Sequence, residues 1–368
     1  MLKVLMQGRN SLFNVPGGDT IQILKTKECL NKIGIEVNIS TELEPDVGGY
    51  DLVHLFNLIR PQEVYLQARN AKKHNKKVVL SPIYADYTEY DKKGRHGFTH
   101  MIFKNLSTGQ IEYLKVLARA IKNKELHKGT VTLLLNGYLK LQKKIIYMTD
   151  MLLPNSNSEI GRIKRTFDLK SLDYIVVPNA VDINKFDFEK TNIDKEIKNF
   201  TDCVLCVARI EGIKSQLNLV KAVKGLPLKL ILIGKPAPNH LKYYQKVKKE
   251  ADNNVIILDY ISHEKLPQYF KIAKVHALPS WFETTGLSSL EAGVMGCNLV
   301  ISDKGDTREY FKDFAYYCDP ESVKSIREAV IQAYENPINP KLKEHIMKNF
   351  NWEKTAEKTL EAYQKVLT

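Results

Sequence analysis

The sequence predicts an α/β protein of two domains, and three observations support that prediction. First, the chain has 368 residues, more than a single hydrophobic core usually supports. Second, short runs rich in Val, Ile and Leu alternate with segments of helical length, as expected for parallel sheets covered by helices on both faces. Third, 43% of the residues are hydrophobic and both charge signs are mixed, which is typical of a folded globular protein.

The predicted strands are continuously apolar and bounded by polar segments, which marks them as buried. The pattern recurs throughout the chain, as at residues 2–6, 51–56, 77–81, 174–177, 204–207, 228–233 and 255–258. Near the end of the chain, Trp352, Ala356 and Leu360 recur at helical spacing between charged residues. Residues 351–367 are therefore predicted to form an amphipathic terminal helix.

A change in character near residues 178–200 marks the expected boundary between the domains. A charged stretch there, including Asp187 and Lys190, precedes a fresh strand pattern that begins at Val204. Such a stretch is typical of an interdomain linker. The expected division is an N-terminal domain of residues 1–185 and a C-terminal domain of residues 186–349.

Most of the formal net charge of +13 is concentrated in one region. Residues 60–149 contain 18 Lys and Arg against 6 Asp and Glu, and residues 111–121 within them predict a helix with one apolar face and basic residues largely off it. Such a patch suggests an anionic partner: a lipid headgroup surface, a diphosphate-bearing acceptor or nucleic acid. The alternative is a solvated basic surface on an ordinary helix packed against its own sheet.

The composition points to a reducing compartment. The longest apolar runs end well short of the roughly 18 residues that suggest a membrane span, and the N-terminus lacks the pattern of a secretory signal. Five scattered cysteines argue against a disulfide framework. We therefore expect a cytoplasmic protein, with peripheral attachment to the inner face of the membrane as an alternative.

No metal site is predicted. Cys203 and Cys206 have the spacing of metal ligands, but they lie in an apolar run without a second pair, as buried strand residues do. His96 and His100 are too isolated to suggest a site.

The most informative segment is SWFETTGLSSLEAG at residues 280–293, directly after an apolar run that ends at Leu278. Gly286 permits a close backbone approach, and the helix pattern after it would direct free backbone N–H groups at a phosphate. Glu283 and Glu291 bracket this turn. Both carboxylates can accept hydrogen bonds from hydroxyl groups of a sugar and a ribose.

This segment resembles the E-x7-E motif of the retaining glycosyltransferases of the GT-B fold, specifically the family 4, or group 1, enzymes. The resemblance implies that Glu283 contacts the transferred sugar and Glu291 the nucleotide ribose, in a donor site that also includes Thr284, Thr285, Gly286 and Leu287. It further implies two facing Rossmann-like domains with a cleft between them, the N-terminal one binding the acceptor and the C-terminal one the donor. A crossover helix would bring residues 350–368 back onto the N-terminal domain.

A second block, VARIEGIKSQ at residues 207–216, resembles the family segment whose Arg and Lys grip the donor diphosphate. The matching residues are Arg209 and Lys214. The chemistry needs such cations, because negative charge builds on the leaving oxygens as the bond to the diphosphate breaks. An arginine can bind two oxygens at once, whereas a lysine acts as a point charge.

Near the N-terminus, PGGDT at residues 16–20 resembles the Gly-Gly loop of the family, which implies that Gly17 lies on the acceptor side and Gly18 near the donor. Many members carry a histidine near the reacting sugar, but the corresponding stretch LSPIYAD at residues 80–86 has none. Tyr84 and Asp86 are the candidates for that place on the acceptor side. His54 is interpreted as a strand residue.

The predicted activity is a retaining transfer of sugar from a nucleotide diphosphate, UDP- or GDP-linked, to a glycan or lipid-linked acceptor in surface polysaccharide or glycoconjugate synthesis. Glu283, Arg209 and Lys214 are the predicted catalytic residues, with no cofactor and no metal. One alternative is an epimerase or phosphorolytic enzyme on the same fold. Another is a non-catalytic protein that binds an anionic membrane or nucleic acid. The presence of all four candidate charged residues favours catalysis, and no nucleic acid partner is expected.

Overall fold

The computed structural model describes residues 1–95, 103–123 and 127–368 and, within the second range, the side chains up to residue 118. The contacts of the chain divide it into two compact units. The first consists of Met1–Ala85, Met101–Asn179 and Trp352–Thr368, and the second of Asp86–His100 and Ala180–Asn351. Each unit is built on one parallel β-sheet, so the predicted α/β class is confirmed.

The first unit contains five strands and seven helices in the described residues. The strands are β1 Lys3–Gln7, β2 Glu36–Ser40, β3 Leu52–Phe56, β4 Lys77–Ser81 and β5 Met151–Leu152. The helices are α1 Gly18–Lys32, α2 Pro61–Lys73, α3 Thr108–Asn123, α4 Lys128–Asn136, α5 Tyr138–Met148, α6 Asn157–Phe167 and the terminal helix α14 Trp352–Leu367. All paired strands run parallel in the order β2-β1-β3-β4-β5.

The second unit contains a six-stranded parallel sheet. Its strands are β6 Cys203–Val207, β7 Leu230–Ile233, β8 Val255–Leu258, β9 Ala273–Leu278, β10 Asn298–Ser302 and β11 Tyr316–Cys318. Its helices are α7 Gln216–Val223, α8 Leu241–Glu250, α9 Leu266–Ile272, α10 Leu287–Val294, α11 Thr307–Phe311, α12 Val323–Glu335 and α13 Pro340–Asn349. The strand order β11-β10-β9-β6-β7-β8 places β6 and β9 at the centre, where their residues are almost fully buried.

The runs named from the sequence do not match every strand of the structure, and β2, β5, β10 and β11 were not among them. Strand β2 lies at the sheet edge with only Val37 buried, so it lacks the continuous apolar run by which the other strands were recognised. The predicted strand at residues 174–177 is wrong: Tyr174 forms only an isolated bridge to Leu152, beside the short strand β5. The chain continues along that edge through a bond from the Ile175 amide to the Leu152 carbonyl rather than through a regular ladder.

The predicted linker is part of the second unit. Val181, Phe186 and Ile197 are buried in its hydrophobic core, and the Val181 amide donates to the Phe350 carbonyl over 3.0 Å. The contact division therefore falls between residues 179 and 180, six residues before the expected boundary at 185. The charged residues that suggested a linker are the exposed side of a segment whose apolar side chains are internal.

The part of the interior that the structure describes contains no disulfide bond. All five cysteines are free and buried. Burial raises the pKa of both Cys203 and Cys206 to about 12, which suits inert strand residues. Across the described ranges, no helix is both long enough and apolar enough to cross a membrane.

Two histidines are buried almost completely, one in each unit. In the first unit, His54 on β3 bonds Tyr363 through Nδ1 at 2.7 Å and Ser81 through Nε2 at 2.9 Å. In the second unit, His276 on β9 lies against Phe270. Burial lowers the pKa of each ring to about 3, so both are neutral in the folded protein.

We expect the free energy of unfolding to fall as the pH drops below about 6.5. Below that pH the two histidines bind protons in the unfolded chain but stay neutral in the folded protein. Each histidine contributes a slope of about 1.4 kcal/mol per pH unit down to its folded pKa. Replacing His54 with glutamine should therefore reduce the loss between pH 7 and pH 5 by about 2 kcal/mol. Urea unfolding of both proteins at the two pH values measures this. An equal loss in the variant and the wild type would contradict it.

Candidate active site

The candidate site lies in the second unit, where the loops after three neighbouring strands meet. These loops are residues 208–215 after β6, residues 279–286 after β9 and residues 303–306 after β10. The carboxyl ends of adjacent parallel strands share one edge of the sheet, which is where ligands bind in open α/β sheets. All the donor-side residues predicted in the C-terminal half lie in or directly after two of these loops.

Lys214 and Glu283 form an ion pair that joins the first two loops. Lys214 Nζ lies 2.6 Å from Glu283 Oε1, and the two side chains are 19% and 13% exposed. The backbone joins the same loops, because the Trp281 amide donates to the Ile213 carbonyl over 2.8 Å. Two of the three predicted catalytic residues are therefore in contact, in a partly desolvated position where a charge pair is stronger than in water.

Gly305 holds the backbone of Glu283 in place from the third loop. It has φ +80°, and a Cβ added to it would lie 2.1 Å from the Glu283 carbonyl oxygen. The neighbouring Asp306 amide donates to that same oxygen over 2.9 Å. At the end of β10, Ser302 Oγ donates to the Ser280 carbonyl. The position of Glu283 thus depends on a glycine 22 residues later in the chain.

Helix α10 begins at the site and directs its first amides outward. Gly286 precedes it with φ +76°, a left-handed conformation that favours glycine. The amides of Ser289 and Leu290 bond the Gly286 carbonyl, whereas those of Leu287 and Ser288 have no acceptor within the helix. Of the other predicted donor residues, Thr284 is half-buried and Thr285 is buried beside Tyr310. This helix start is suited to a phosphate.

Arg209 is fixed through its backbone and extends its side chain into solvent. Its carbonyl accepts from Gln216 Nε2 over 2.8 Å. The guanidinium is 53% exposed, and its Nη2 lies 3.3 Å from Glu211 Oε1. In the described structure Arg209 contacts neither Lys214 nor Glu283, so the third predicted catalytic residue lies in the same loop as Lys214 but apart from the ion pair.

Glu291 is held by a histidine that the sequence reading missed. Glu291 Oε1 lies 2.7 Å from His263 Nε2, and His263 Nδ1 lies 2.8 Å from Lys185 Nζ. An ammonium group only donates, so Nδ1 accepts and Nε2–H donates to the carboxylate of Glu291. This relay fixes one oxygen of Glu291, which is 8% exposed. His263 stands 28 positions before Glu291, after a different strand, so no local pattern could reveal it.

A second missed feature is the segment of residues 86–95, which we call the strap. It belongs to the second unit, although the sequence placed it in the N-terminal domain. Tyr87 packs edge-on against Phe282 with ring centroids 5.8 Å apart. Glu89 binds Lys304 Nζ through both carboxylate oxygens at 2.9 Å. The strap therefore touches the loop of Glu283 and the loop of Gly305.

Tyr90 joins the strap to the remaining loop. It packs beside Trp281, and a Cβ added to Gly212 would lie 2.2 Å from its hydroxyl oxygen. Burial raises the pKa of Tyr90 to about 12, so the hydroxyl stays protonated. Gly212 begins the turn that carries Lys214. Side chains of the strap therefore contact all three loops.

In the first unit, Gly17 and Gly18 begin helix α1 after a loop that Arg9 holds together. The guanidinium of Arg9 binds both oxygens of Asp19, at 2.6 and 3.1 Å, and the Val15 carbonyl at 2.7 Å. Burial opposes the ionisation of Asp19, but the hydrogen bond and charge of Arg9 outweigh it and hold the pKa below its usual value. Gly17 is the N-cap and Gly18 is exposed. Their acceptor-side and donor-side roles stay predictions.

The two acceptor-side candidates after β4 have different surroundings. Tyr84 is 5% exposed and packs in the core of the first unit against Phe167, while its amide donates to the carboxylate of Glu159. Its side chain is part of this core, and its acceptor-side role stays a prediction. Asp86 is exposed and accepts from the Thr88 amide and hydroxyl.

The remaining predictions concern metals and histidines. His54 is a buried strand residue, as interpreted. His96 and His100 lie outside the described residues. Among the residues that the structure describes, no group of three His, Cys, Asp or Glu side chains could hold a metal ion.

Comparison with known sequences finds a family match in this half of the chain. Residues 187–364 match the family described as glycosyl transferases group 1. O-antigen chain mannosyltransferase B of Escherichia coli is 26% identical over 171 residues, 44% of this chain and 45% of the relative. D-inositol 3-phosphate glycosyltransferase of Geodermatophilus obscurus is 23% identical over 244 residues, 60% and 54% of the two chains. The chain thus spans about half the length of the curated relatives it matches.

Solved structures match over the whole chain. Sucrose-phosphate synthase from Thermosynechococcus elongatus has a TM-score of 0.74 at 14% identity and covers 100% of this chain and 99% of its own. HepE of Anabaena, solved in complex with UDP and glucose, has a TM-score of 0.70 at 14% identity and covers 99% and 100%. At these identities the likeness shows the fold.

Proposed function

We propose that this protein, which has the GT-B fold of two Rossmann-like units and a glycosyl transferases group 1 domain at residues 187–364, transfers a sugar from a nucleotide diphosphate to an acceptor. The observation that carries the proposal is the Lys214–Glu283 ion pair, set at the carboxyl edge of the sheet beside the start of α10. It places a fixed cation, a carboxylate and outward backbone amides within two adjoining loops. A sugar diphosphate needs these three kinds of group.

Lys214 and the start of α10 stabilise the leaving diphosphate. The ion pair uses one of the three N–H donors of Lys214, and the other two can bind phosphate oxygens. The amides of Leu287 and Ser288 add donors from the helix start. Arg209, exposed in the same loop as Lys214, supplies a second cation that can bind two oxygens at once. Charge that develops on the diphosphate is thus met by groups already in position.

Glu283 and Glu291 position the two sugar rings of the donor. Lys214 occupies one oxygen of Glu283, which leaves the other to accept from hydroxyl groups of the transferred sugar. Glu291 is oriented by His263 and binds the hydroxyls of the ribose. Retention of the anomeric configuration is inferred from the resemblance of this segment to the retaining enzymes.

The donor and acceptor classes are inferred from the relatives. HepE of Anabaena is solved with UDP and glucose, and the Escherichia coli relative is O-antigen chain mannosyltransferase B. We infer a UDP- or GDP-linked sugar, and a glycan or lipid-linked acceptor in the synthesis of a surface polysaccharide or glycoconjugate. Neither a metal nor a cofactor is part of the proposed reaction.

Donor binding is tested with UDP, GDP, ADP and their common sugar conjugates, by calorimetry and thermal unfolding. We expect saturable binding of one nucleotide, with stabilisation of about 2.7 kcal/mol at a hundred times its Kd. Arg209→Ala should weaken that binding at least about tenfold, since a charge-assisted hydrogen bond is worth about 1.5–3 kcal/mol.

Arg69→Ala is the matched control. Arg69 is 48% exposed and paired with Glu44, much as Arg209 is with Glu211, but it lies on α2 in the first unit. The control should bind like the wild type. No binding across the whole panel would refute the proposed function, and equal losses in the two variants would remove Arg209 from the site.

A further inference from the structure

The helical part of the first unit exposes an apolar face. Val131 is 53% exposed and Leu135 is 82% exposed, and they lie one turn apart on α4. Leu114, on the neighbouring helix α3, is 40% exposed. Single exposed apolar residues are common on protein surfaces, but a group on adjacent helices marks an interaction site.

The same helices form an open groove of about 580 Å³. It is lined on one side by Leu106, Tyr113 and Leu114 and on the other by the start of α5, including Tyr138 and Leu139. Leu114 belongs both to the groove and to the exposed face. Asn136, which follows Leu135 directly, also lines the groove. The end of α4, which carries Leu135, is therefore next to the groove along the chain.

The same region of the chain carries exposed basic residues. The sequence from 103 to 149 contains nine Lys and Arg against two Glu. Lys104, Lys128, Lys140 and Lys144 are exposed, and Lys140 lines the groove itself. One of the two acids, Glu112, is paired with Lys115 at 2.7 Å. The exposed lysines thus give this region a net positive charge, and Lys128 lies one turn before Val131 on α4.

We propose that this face, residues 103–118 and 127–149, docks on an anionic lipid bilayer. Nucleic acid would account for the lysines but not for Leu135, because its phosphate backbone offers no apolar contact. A bilayer interface accounts for both: Val131 and Leu135 enter the boundary of the hydrocarbon, while the lysines meet anionic headgroups. The inference goes beyond the proposed sugar transfer, because it depends only on these helices and not on any donor residue.

The test is sedimentation of the full chain with vesicles of phosphatidylcholine, with and without phosphatidylglycerol, and with no sugar nucleotide. We expect recovery with the anionic vesicles only, decreasing as salt rises. V131S/L135S should weaken binding at least about tenfold, since it removes apolar area from the interface. K128A/K140A should weaken it about 25-fold, or about fivefold for each lysine.

L24S/I33S is the matched control, because Leu24 and Ile33 are 44% and 48% exposed in the same unit but lie around α1. It should bind vesicles like the wild type, and all variants should unfold at the wild-type temperature. Equal recovery with neutral and anionic vesicles at low salt would overturn the inference. So would equal losses in the control and in V131S/L135S, or binding to single-stranded RNA without recovery on vesicles. Each of these results is independent of whether the protein binds a sugar nucleotide, because donor binding is measured in a separate experiment.

Discussion

Replacing Lys214 with alanine is expected to lower the rate of sugar transfer by about two to three orders of magnitude. Lys214 is the cation fixed against Glu283 at 2.6 Å, and removing one fixed donor from a site of developing negative charge costs about 10²–10³ in kcat. Binding of the free nucleotide should fall less, because the charge on the leaving oxygens grows only as the bond breaks. Single-turnover rates and nucleotide affinities, measured side by side, separate the two effects.

The variant also leaves Glu283 without its partner, and a second change separates stability from catalysis. Glu283 is only 13% exposed, so an unpaired carboxylate there destabilises the fold. The double variant Lys214→Ala/Glu283→Gln removes that charge and should recover thermal stability while staying slow. Lys224→Ala, an ion-paired lysine elsewhere in the second unit, is the control and should remain fast. A rate for Lys214→Ala within about threefold of the wild type would contradict the assigned role.

The sequence predicted the parts of the site that are contiguous in the chain. Glu283, Gly286 and Glu291 occur in one segment, where a strand, a tight turn and a helix follow each other, so a local pattern carries the geometry. Lys214 is recognisable because it follows its own strand at a short distance. That the two loops adjoin follows from the strand order, in which β6 and β9 are neighbours. Composition and periodicity do not give that order.

The missed residues depend on contacts between distant segments. His263 orients Glu291 from the loop after β8, and Lys185 reaches the same ring from a stretch that had the composition of a linker. The strap lies within the N-terminal half of the sequence but packs on loops of the second unit through Tyr87 and Tyr90. Its residues are aromatic and charged without a helical or strand period, so the sequence does not indicate which segments they pack against.

Gly305 also positions a site residue, Glu283, from a distant segment of the chain. Its replacement is expected to lower both the stability and the rate of sugar transfer strongly. Alanine at this position meets two penalties: a left-handed backbone, which costs an L-residue about 1–2 kcal/mol, and a Cβ only 2.1 Å from the Glu283 carbonyl oxygen. Relieving that overlap by moving the backbone costs about 1–3 kcal/mol more. The backbone that moves carries Glu283, and a displacement of about 1 Å can cost about 10²-fold in rate.

Gly296→Ala carries the first penalty alone, so its comparison with Gly305→Ala isolates the second. Gly296 lies in the same unit with φ +88°, but a Cβ added to it would have no atom within 4 Å. It should therefore lose about 1–2 kcal/mol of stability and keep its activity, whereas Gly305→Ala should lose about 2–5 kcal/mol and about 10²-fold in kcat. Urea unfolding and initial rates on both variants make the comparison. If the two glycines prove equally costly for kcat, the loop after β10 does not hold Glu283 in its working position, and the ion pair with Lys214 alone must fix that carboxylate.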